Sequence, residues 1–172
     1  MASHLIKSIF YSSWEAINMN IFKELEILYR EIDNFYAQKE LNARDRGWHK
    51  KEKEWSKKRE LNDHAYYLFM FTRLEYHIRE QSSKLITNKR TNLTNWKQKR
   101  VWDILPKTKD SDSISFLNRT ALLIDKGTHY YQKIKKYYEL RNTLGHGGIF
   151  SSPVSIPNVV ADFEMLCKML KA

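Results

Sequence analysis

The sequence has few of the residues that cross-link or sharply bend a chain: one cysteine, three prolines and five glycines among 172 residues. The single cysteine, Cys167, excludes a disulfide within the chain and a zinc site built from cysteines. We expect it to be a small core residue on the apolar stripe of the last helix. With so few prolines and glycines, the chain has little material for the many turns of an all-β fold.

Long apolar runs are also missing. None approaches the roughly 18 residues that a membrane-spanning helix needs, and the apolar run after Met1 is too short for a signal peptide. We therefore expect a cytoplasmic protein with no membrane partner. The six histidines include no His-x3-His pair backed by carboxylates, so we expect neither a metal site nor a cofactor.

The composition that remains is that of a folded, basic domain. Hydrophobic residues make up 42% of the chain and aromatic residues 13%, which is enough for a core and for one domain over residues 1–172. The net charge is +10, with 30 basic residues against 20 acidic ones. Such an excess favours a nucleic acid or another polyanion as partner. The alternative is charge that serves only solubility or an acidic protein partner.

Apolar residues recur every three or four positions, which predicts an all-α fold, an antiparallel bundle of about four or five main helices. Residues 1–19 are uncertain. A first helix runs from about 20 to 46 and ends at Gly47; its predicted inward stripe is Ile21, Leu25, Leu28, Ile32 and Phe35. A second helix covers about 63 to 86, and His77 on it reads as a packing histidine.

Residues 87–113 are predicted to be a basic loop that crosses the bundle and contains a short helix near 95–104. The third helical segment begins near Ser113 or Ser115, and Gly127 kinks or divides it. A final helix starts at Pro157.

Two basic segments are candidate RNA-binding regions. The first interleaves cations with Trp48 and Trp55, which combines phosphate attraction with base stacking. Alternatively, this segment is a solvated surface whose tryptophans pack under the bundle. The candidate RNA-binding residues of both segments are Lys50, Lys51, Lys57, Lys58, Arg59, Lys89, Arg90, Lys97, Lys99 and Arg100.

The stretch around Arg141 departs from the helical pattern. Steps of three and four residues back from Leu144 reach Tyr137, Ile134 and Tyr130, and Arg141 lies on the same stripe. A guanidinium on the buried side of a helix costs free energy unless it is paired or faces a partner or ligand. Arg141 is therefore a candidate binding residue.

Gly145 is the expected helix stop, because glycine tolerates the left-handed conformation that follows a last helical turn. On a continuous helix His146 would be rotated about 140° from Arg141. A break at Gly145 would let the imidazole swing back beside the arginine, with Asn142 bracing the turn. Arginine, histidine and an amide brought together suit an anionic phosphodiester.

The segment Arg141-Asn142-Thr143-Leu144-Gly145-His146-Gly147 resembles the signature of the HEPN domains (higher eukaryotes and prokaryotes nucleotide-binding), an arginine, a polar residue, three more residues and a histidine. Members of that family are all-helical and usually dimeric. Many are metal-independent endoribonucleases of toxin–antitoxin, abortive-infection and CRISPR systems.

The resemblance implies attack of an RNA 2′-hydroxyl on the adjacent phosphate, which leaves a 2′,3′-cyclic phosphate. His146 would act as general acid or base, Arg141 would neutralise charge on the phosphate, and Asn142 would orient the histidine or the phosphate. One motif supplies one histidine, so a homodimer with a shared cleft is implied. An antitoxin or another phage-defence protein is a possible further partner.

One position departs from the family pattern. In the HEPN toxins that are paired with small nucleotidyltransferases, a tyrosine stands two residues after the histidine and is modified by the partner. This chain has Gly148 there, which puts that form of regulation in doubt.

Two other interpretations stay open. One is a non-catalytic HEPN-like module that binds RNA, a nucleotide or a partner protein. The other is a basic helical adaptor in which Arg141 is bonded to an internal carboxylate and the motif has no chemical role.

Overall fold

The structure, a computed structural model, describes residues 2–105, 113–150 and 152–172, with side chains from residue 21 onward. In this part of the chain every regular element is a helix, so the all-α prediction is confirmed. The helices are α1 (Ala2–Asp45), α2 (His49–Asn92), α3 (Trp96–Asp103), α4 (Phe116–Leu123), α5 (His129–Gly145) and α6 (Ile156–Met169). None of the helices in these ranges is long and apolar enough to cross a membrane.

The described chain forms two compact units. Unit 1 comprises residues up to Met70 together with Thr143–Glu164, and unit 2 comprises Phe71–Asn142 together with Met165–Ala172. Helices α2, α5 and α6 contribute residues to both units. The prediction of a single domain over residues 1–172 stays a prediction.

In unit 1, α1 and the first half of α2 form an antiparallel hairpin. Gly47 has a φ of 69° and follows the last turn of α1, as the sequence predicts. Its amide donates to the Arg44 carbonyl at 2.9 Å, and the Trp48 amide donates to the Ala43 carbonyl at 2.8 Å. This pair of bonds is a Schellman motif, which satisfies the last carbonyls of a helix.

Polar contacts continue along the hairpin away from the turn. Arg59 of α2 donates to Asp33 at 2.9 Å and to Glu40 at 3.0 Å. Farther from the turn, the Tyr29 hydroxyl donates to Asp63 at 2.9 Å. Residue numbers fall on α1 as they rise on α2, which is the pattern of antiparallel neighbours.

The inward face of α1 differs from the predicted one. Phe22, Tyr29 and Ala43 are buried, whereas Leu28 and Phe35 of the predicted stripe are 50% and 53% exposed. The inward face also carries the partly buried carboxylates of Asp33 and Glu40, which are paired with Arg59. Apolar periodicity alone selects the stripe beside the one that is buried. The buried stripe is missed because part of the α1–α2 interface consists of ion pairs.

Two predicted boundaries also change. Residues 2–19, which the sequence leaves uncertain, belong to α1. Residues 87–92, predicted as the start of a crossing loop, are instead the last turns of α2, and α3 supplies the short helix. The stretch 106–112 of that predicted loop lies outside the described residues.

Unit 2 is built around an aromatic cluster. Phe116 of α4 stacks on Tyr138 of α5 at 4.9 Å between ring centroids, and both rings lie near Phe71 of α2. The third predicted segment is divided at Gly127, whose amide donates to the Asp125 carboxylate at 2.7 Å. The division predicted at this glycine is therefore confirmed.

Helix α6 begins at Ile156, one residue before the predicted start. Its predicted inward residues Val159 and Phe163 are buried in unit 1, and Leu166 and Leu170 are buried in unit 2. Cys167 is buried as predicted.

His77 of α2 is the packing histidine that the sequence predicts. Its Nε2 lies 3.0 Å from the Leu170 carbonyl oxygen, and both residues belong to unit 2.

Candidate functional site

Arg141 lies in the last turns of α5, within unit 2. Ile134, two turns earlier, is fully buried, but the side chain of Arg141 is 42% exposed. Its Nη1 donates to the side-chain oxygen of Asn142 at 3.2 Å. Asn142 therefore orients the guanidinium, a role that the sequence did not assign to it.

Glu75 of α2 lies beside this guanidinium. Its Oε2 lies 3.9 Å from Arg141 Nη2, which is beyond hydrogen-bond distance. A partly solvated pair at this separation contributes little to stability. The arginine is therefore aligned by its neighbours and is not locked by a buried carboxylate.

Sequence reasoning placed Glu75 on the second helix but could not select it. A helix of that length carries several glutamates. Which of them lies beside Arg141 depends on how α2 packs against α5, and this packing cannot be derived from one sequence.

His146 is the residue that caps the C-terminus of α5. The helix includes Gly145, and the left-handed residue is Gly147, with a φ of 79°. The Gly147 amide donates to the Leu144 carbonyl at 3.0 Å, and the Gly148 amide donates to the Thr143 carbonyl at 2.9 Å. This is the Schellman motif again. The helix ends at Gly145 as predicted, but the left-handed residue is Gly147 and not the predicted Gly145.

Gly148 is fixed by the same turn. A Cβ built on it would lie 2.7 Å from the Thr143 methyl carbon and 2.8 Å from the Thr143 carbonyl oxygen. Any side chain at this position would therefore force the turn open. The geometry gives a local reason why this position is glycine.

The three motif residues are divided between the units. Arg141 and Asn142 belong to unit 2, where they are bonded to each other, and His146 belongs to unit 1, where its side chain is exposed.

No family model, curated protein or solved structure matches this chain. The resemblance to the HEPN signature therefore rests on the residues from Arg141 to Gly147 alone.

The first basic segment forms a surface at the turn of the α1–α2 hairpin. We call Arg46, Trp48, Lys51, Trp55 and Lys58 the hairpin-tip surface. Trp48 is 46% exposed, with the Arg46 guanidinium 4.9 Å and the Lys51 ammonium 4.7 Å from its ring centroid. An exposed indole flanked by cations can stack on a base while the cations contact phosphates.

The sequence left open whether the tryptophans bind RNA or pack under the bundle, and Trp55 has features of both. Its ring packs in unit 1 against Phe35 at 6.2 Å and Tyr36 at 5.9 Å, and the Lys58 ammonium lies 4.0 Å from its centroid. Trp48 is thus the open ring of the surface, and Trp55 is partly a packing residue.

The other predicted RNA-binding residues of this segment differ in how they are engaged. Lys50 is exposed, and Lys57 forms an exposed ion pair with Glu60 at 2.8 Å. Arg59 is held between Asp33 and Glu40. The hydrogen bond to Asp33 is the main cause that raises the pKa of Arg59 above its ordinary value.

The second basic segment lies at the end of α2 and on α3. Arg90 Nε donates to the Trp102 carbonyl at 2.9 Å, and its Nη2 donates to the Leu105 carbonyl, so this guanidinium caps α3. Arg100 lies 5.1 Å from the ring of Trp96, which is 63% exposed. Lys89 and Lys97 are exposed and Lys99 is partly buried.

Metal-binding side chains are dispersed in the described part of the chain. Within those ranges no three histidine, cysteine, aspartate or glutamate side chains come together as a metal site would require.

Proposed function

We propose that this chain is a metal-independent endoribonuclease that cleaves RNA by attack of a 2′-hydroxyl on the adjacent phosphate. The observation that carries the proposal is the half-exposed guanidinium of Arg141, aligned by Asn142 and held loosely by Glu75. A cation in this state is accessible to an anionic substrate. Because Asn142 already aligns the guanidinium, binding a substrate costs little further side-chain entropy.

In this proposal Arg141 neutralises the charge that develops on the phosphorane. His146 transfers a proton as general acid or base. The exposed position of His146 at the end of α5 is compatible with contact to a large substrate. The reaction needs both an acid and a base, so we propose a homodimer in which two chains supply them.

The hairpin-tip surface is the proposed RNA-binding region outside the reacting groups. Stacking on Trp48 requires an unpaired base, so the preferred substrate is single-stranded RNA. Lys50 and Lys57 add phosphate contacts beside it, and Lys89, Lys97, Lys99 and Arg100 are the proposed contacts of the second segment. A role in toxin–antitoxin or phage-defence biology, with an antitoxin or another defence protein as partner, belongs to the same proposal.

The test is cleavage of end-labelled RNA in EDTA by the parent protein and by Arg141→Ala and His146→Ala. We expect the parent to leave 2′,3′-cyclic phosphate ends. His146→Ala should lower the rate about 10²–10⁴-fold, and Arg141→Ala should lower it about 10²–10³-fold. His129→Ala and Arg30→Ala, which change exposed residues of the same types, serve as matched controls and should cut like the parent.

Equal cutting by the parent, Arg141→Ala and His146→Ala would reject this site. A silent parent that still binds single-stranded RNA would favour the second candidate, a module that binds RNA, a nucleotide or a partner protein without cutting it. The observation that favours this candidate is the hairpin-tip surface, which supports binding without any catalytic group.

A further inference from the structure

Helix α1 carries an apolar stripe that the described chain leaves exposed. Leu28, Ile32 and Phe35 are spaced four and three residues apart and are 50%, 37% and 53% exposed. On a neighbouring face, Tyr29 is buried against Tyr66 of α2 and Phe22 against Phe163 of α6. Three large side chains in one line on one helix form a patch of the kind that marks an interaction surface.

Charged residues on this stripe are ordered along the helix axis. Glu24 lies toward its N-terminal end, Glu31 lies at its middle beside Ile32, and Lys39 lies toward its C-terminal end, over the Phe35 ring at 5.3 Å. At about 100° per residue, these positions fall within roughly 100° of arc together with Leu28 and Ile32. The stripe is therefore acidic at its N-terminal end and basic at its C-terminal end, with the apolar side chains and Glu31 between them.

We propose that α1 pairs with α1 of a second copy of this chain, antiparallel, about a two-fold axis near Ile32. In a parallel pair Glu24, Glu31 and Lys39 would each face its own copy, which is repulsive. In an antiparallel pair Lys39 of each copy approaches Glu24 of the other, and Leu28 approaches Phe35, while the two Glu31 side chains lie near the axis. The charge order selects the antiparallel arrangement.

The charge of α1 argues for a protein partner over a nucleic acid. Residues 21–45 contain six acids (24, 26, 31, 33, 40, 45) against four bases (23, 30, 39, 44), a net charge of −2 in a chain of net +10. A polyanion would be repelled from this helix and attracted elsewhere. A second copy of this chain carries the same stripe, so its acidic and basic ends can pair with the opposite ends of the first.

This proposal rests on α1 alone and goes beyond the ribonuclease proposal. The pairing can hold in a protein that cuts no RNA, and RNA can be cut by a chain that pairs through another face. The two are therefore tested by different variants.

The first test compares Leu28→Asp with Leu41→Asp in the full chain. Both leucines are on α1 with nearly equal exposure, 50% and 52%, but Leu41 lies on another face of the helix. We expect a parent dimer by sedimentation velocity, a dimeric Leu41→Asp variant and a Leu28→Asp dimer weakened about 100-fold. Circular dichroism checks that both variants keep their helices. A monomeric parent, or a Leu28→Asp variant that dimerises like the parent, would overturn the proposal.

The second test reverses charges on the stripe. Lys39→Glu should weaken the dimer about 100-fold, and adding Glu24→Lys to it should restore the affinity to within about tenfold of the parent. Lys23→Glu, an exposed residue off the stripe, should have no comparable effect. Failure of the double variant to dimerise while it remains helical would reject the antiparallel arrangement.

A cross-linking test locates the axis. The native Cys167 is buried, so a cysteine introduced at Ile32 should be the main site of reaction with a short bismaleimide and should give covalent dimers. The same change at Leu41 should give almost none. Equal cross-linking at both positions would contradict an axis near Ile32.

Discussion

At the residue scale, His146 owes its position to the glycine that follows it. Helices α1 and α5 end in the same way, with Arg46 before Gly47 and His146 before Gly147, and each glycine has a positive φ. Gly145 lies inside the last turn of α5 and has no atom within 4 Å of an added Cβ. Of the glycines in this turn, Gly145 is thus the one that has neither a positive φ nor a neighbouring atom that an added side chain would meet.

Two alanine substitutions separate these roles. Gly145→Ala should raise the free energy of unfolding by about 0.5 kcal/mol, because alanine favours the helix and restricts the unfolded chain. Gly147→Ala should lower it by about 1–2 kcal/mol, because alanine is strained at positive φ. Urea denaturation followed by circular dichroism measures both. A stabilised Gly147→Ala variant would contradict the C-cap at that residue.

The sequence makes the residues of the candidate site predictable but not the turn that presents them. Arginine on an apolar stripe and histidine near a glycine cluster can be read from spacing. Three of the four residues from 145 to 148 are glycine, however, and propensity alone cannot tell which of them takes the left-handed conformation. Hydrogen bonds to Thr143 and Leu144 decide it.

At the element scale, Arg59 joins α1 to α2 in the hairpin. Its guanidinium contacts Asp33 and Glu40, whose side chains are 20% and 13% exposed. Arg59→Ala should destabilise the protein by about 1–2 kcal/mol, less than the loss of a fully buried pair, because the guanidinium itself is partly solvated. Lys57→Ala removes only an exposed pair with Glu60 and should change stability by less than about 0.5 kcal/mol. Thermal unfolding of both variants tests the difference.

In unit 2, His77 should make stability depend on pH. Burial lowers the pKa of His77 below its ordinary value of 6.5, so the folded protein disfavours the charged imidazole. Stability from this residue is fully present above about pH 6.5 and is lost as the pH falls toward the lower pKa of the folded state.

His77→Gln keeps a hydrogen-bond donor toward the Leu170 carbonyl but does not titrate in this range. We expect urea denaturation at pH 7.5 and pH 5.5 to show a smaller loss of stability for His77→Gln than for the parent. An identical loss in both proteins would show that other groups control this pH range.

The interior faces of the helices were predictable to different degrees. On α6 every predicted inward residue is buried, because a single apolar stripe runs along the helix. On α1 two stripes compete, and the buried one contains Asp33 and Glu40 between Tyr29, Tyr36 and Ala43. Ion pairs between this mixed face and Arg59 of α2 favour its burial. A search for apolar periodicity does not take ion pairs into account and therefore selects the other face.

At the scale of the whole molecule, the chain has a net charge of +10, but its cationic side chains are not equally accessible to a polyanion. Arg59 and Arg90 are held by carboxylates and carbonyls within the chain. The hairpin-tip surface instead presents cations beside an exposed tryptophan. The binding of RNA, as proposed, should therefore have an electrostatic part and a stacking part that can be separated.

Salt titrations of single-stranded RNA binding separate these parts. The logarithm of the affinity should fall linearly with the logarithm of the salt concentration, and Lys51→Ala should reduce the slope by about 0.7 if this lysine contacts one phosphate. Trp48→Ala should leave the slope unchanged and lower the affinity at every salt concentration by about 1–3 kcal/mol. The Lys57→Ala variant tests whether a lysine already paired with Glu60 contributes less. If Trp48→Ala leaves both the slope and the affinity unchanged while Lys51→Ala reduces the slope, the surface binds RNA through charge alone and no base stacks on the indole.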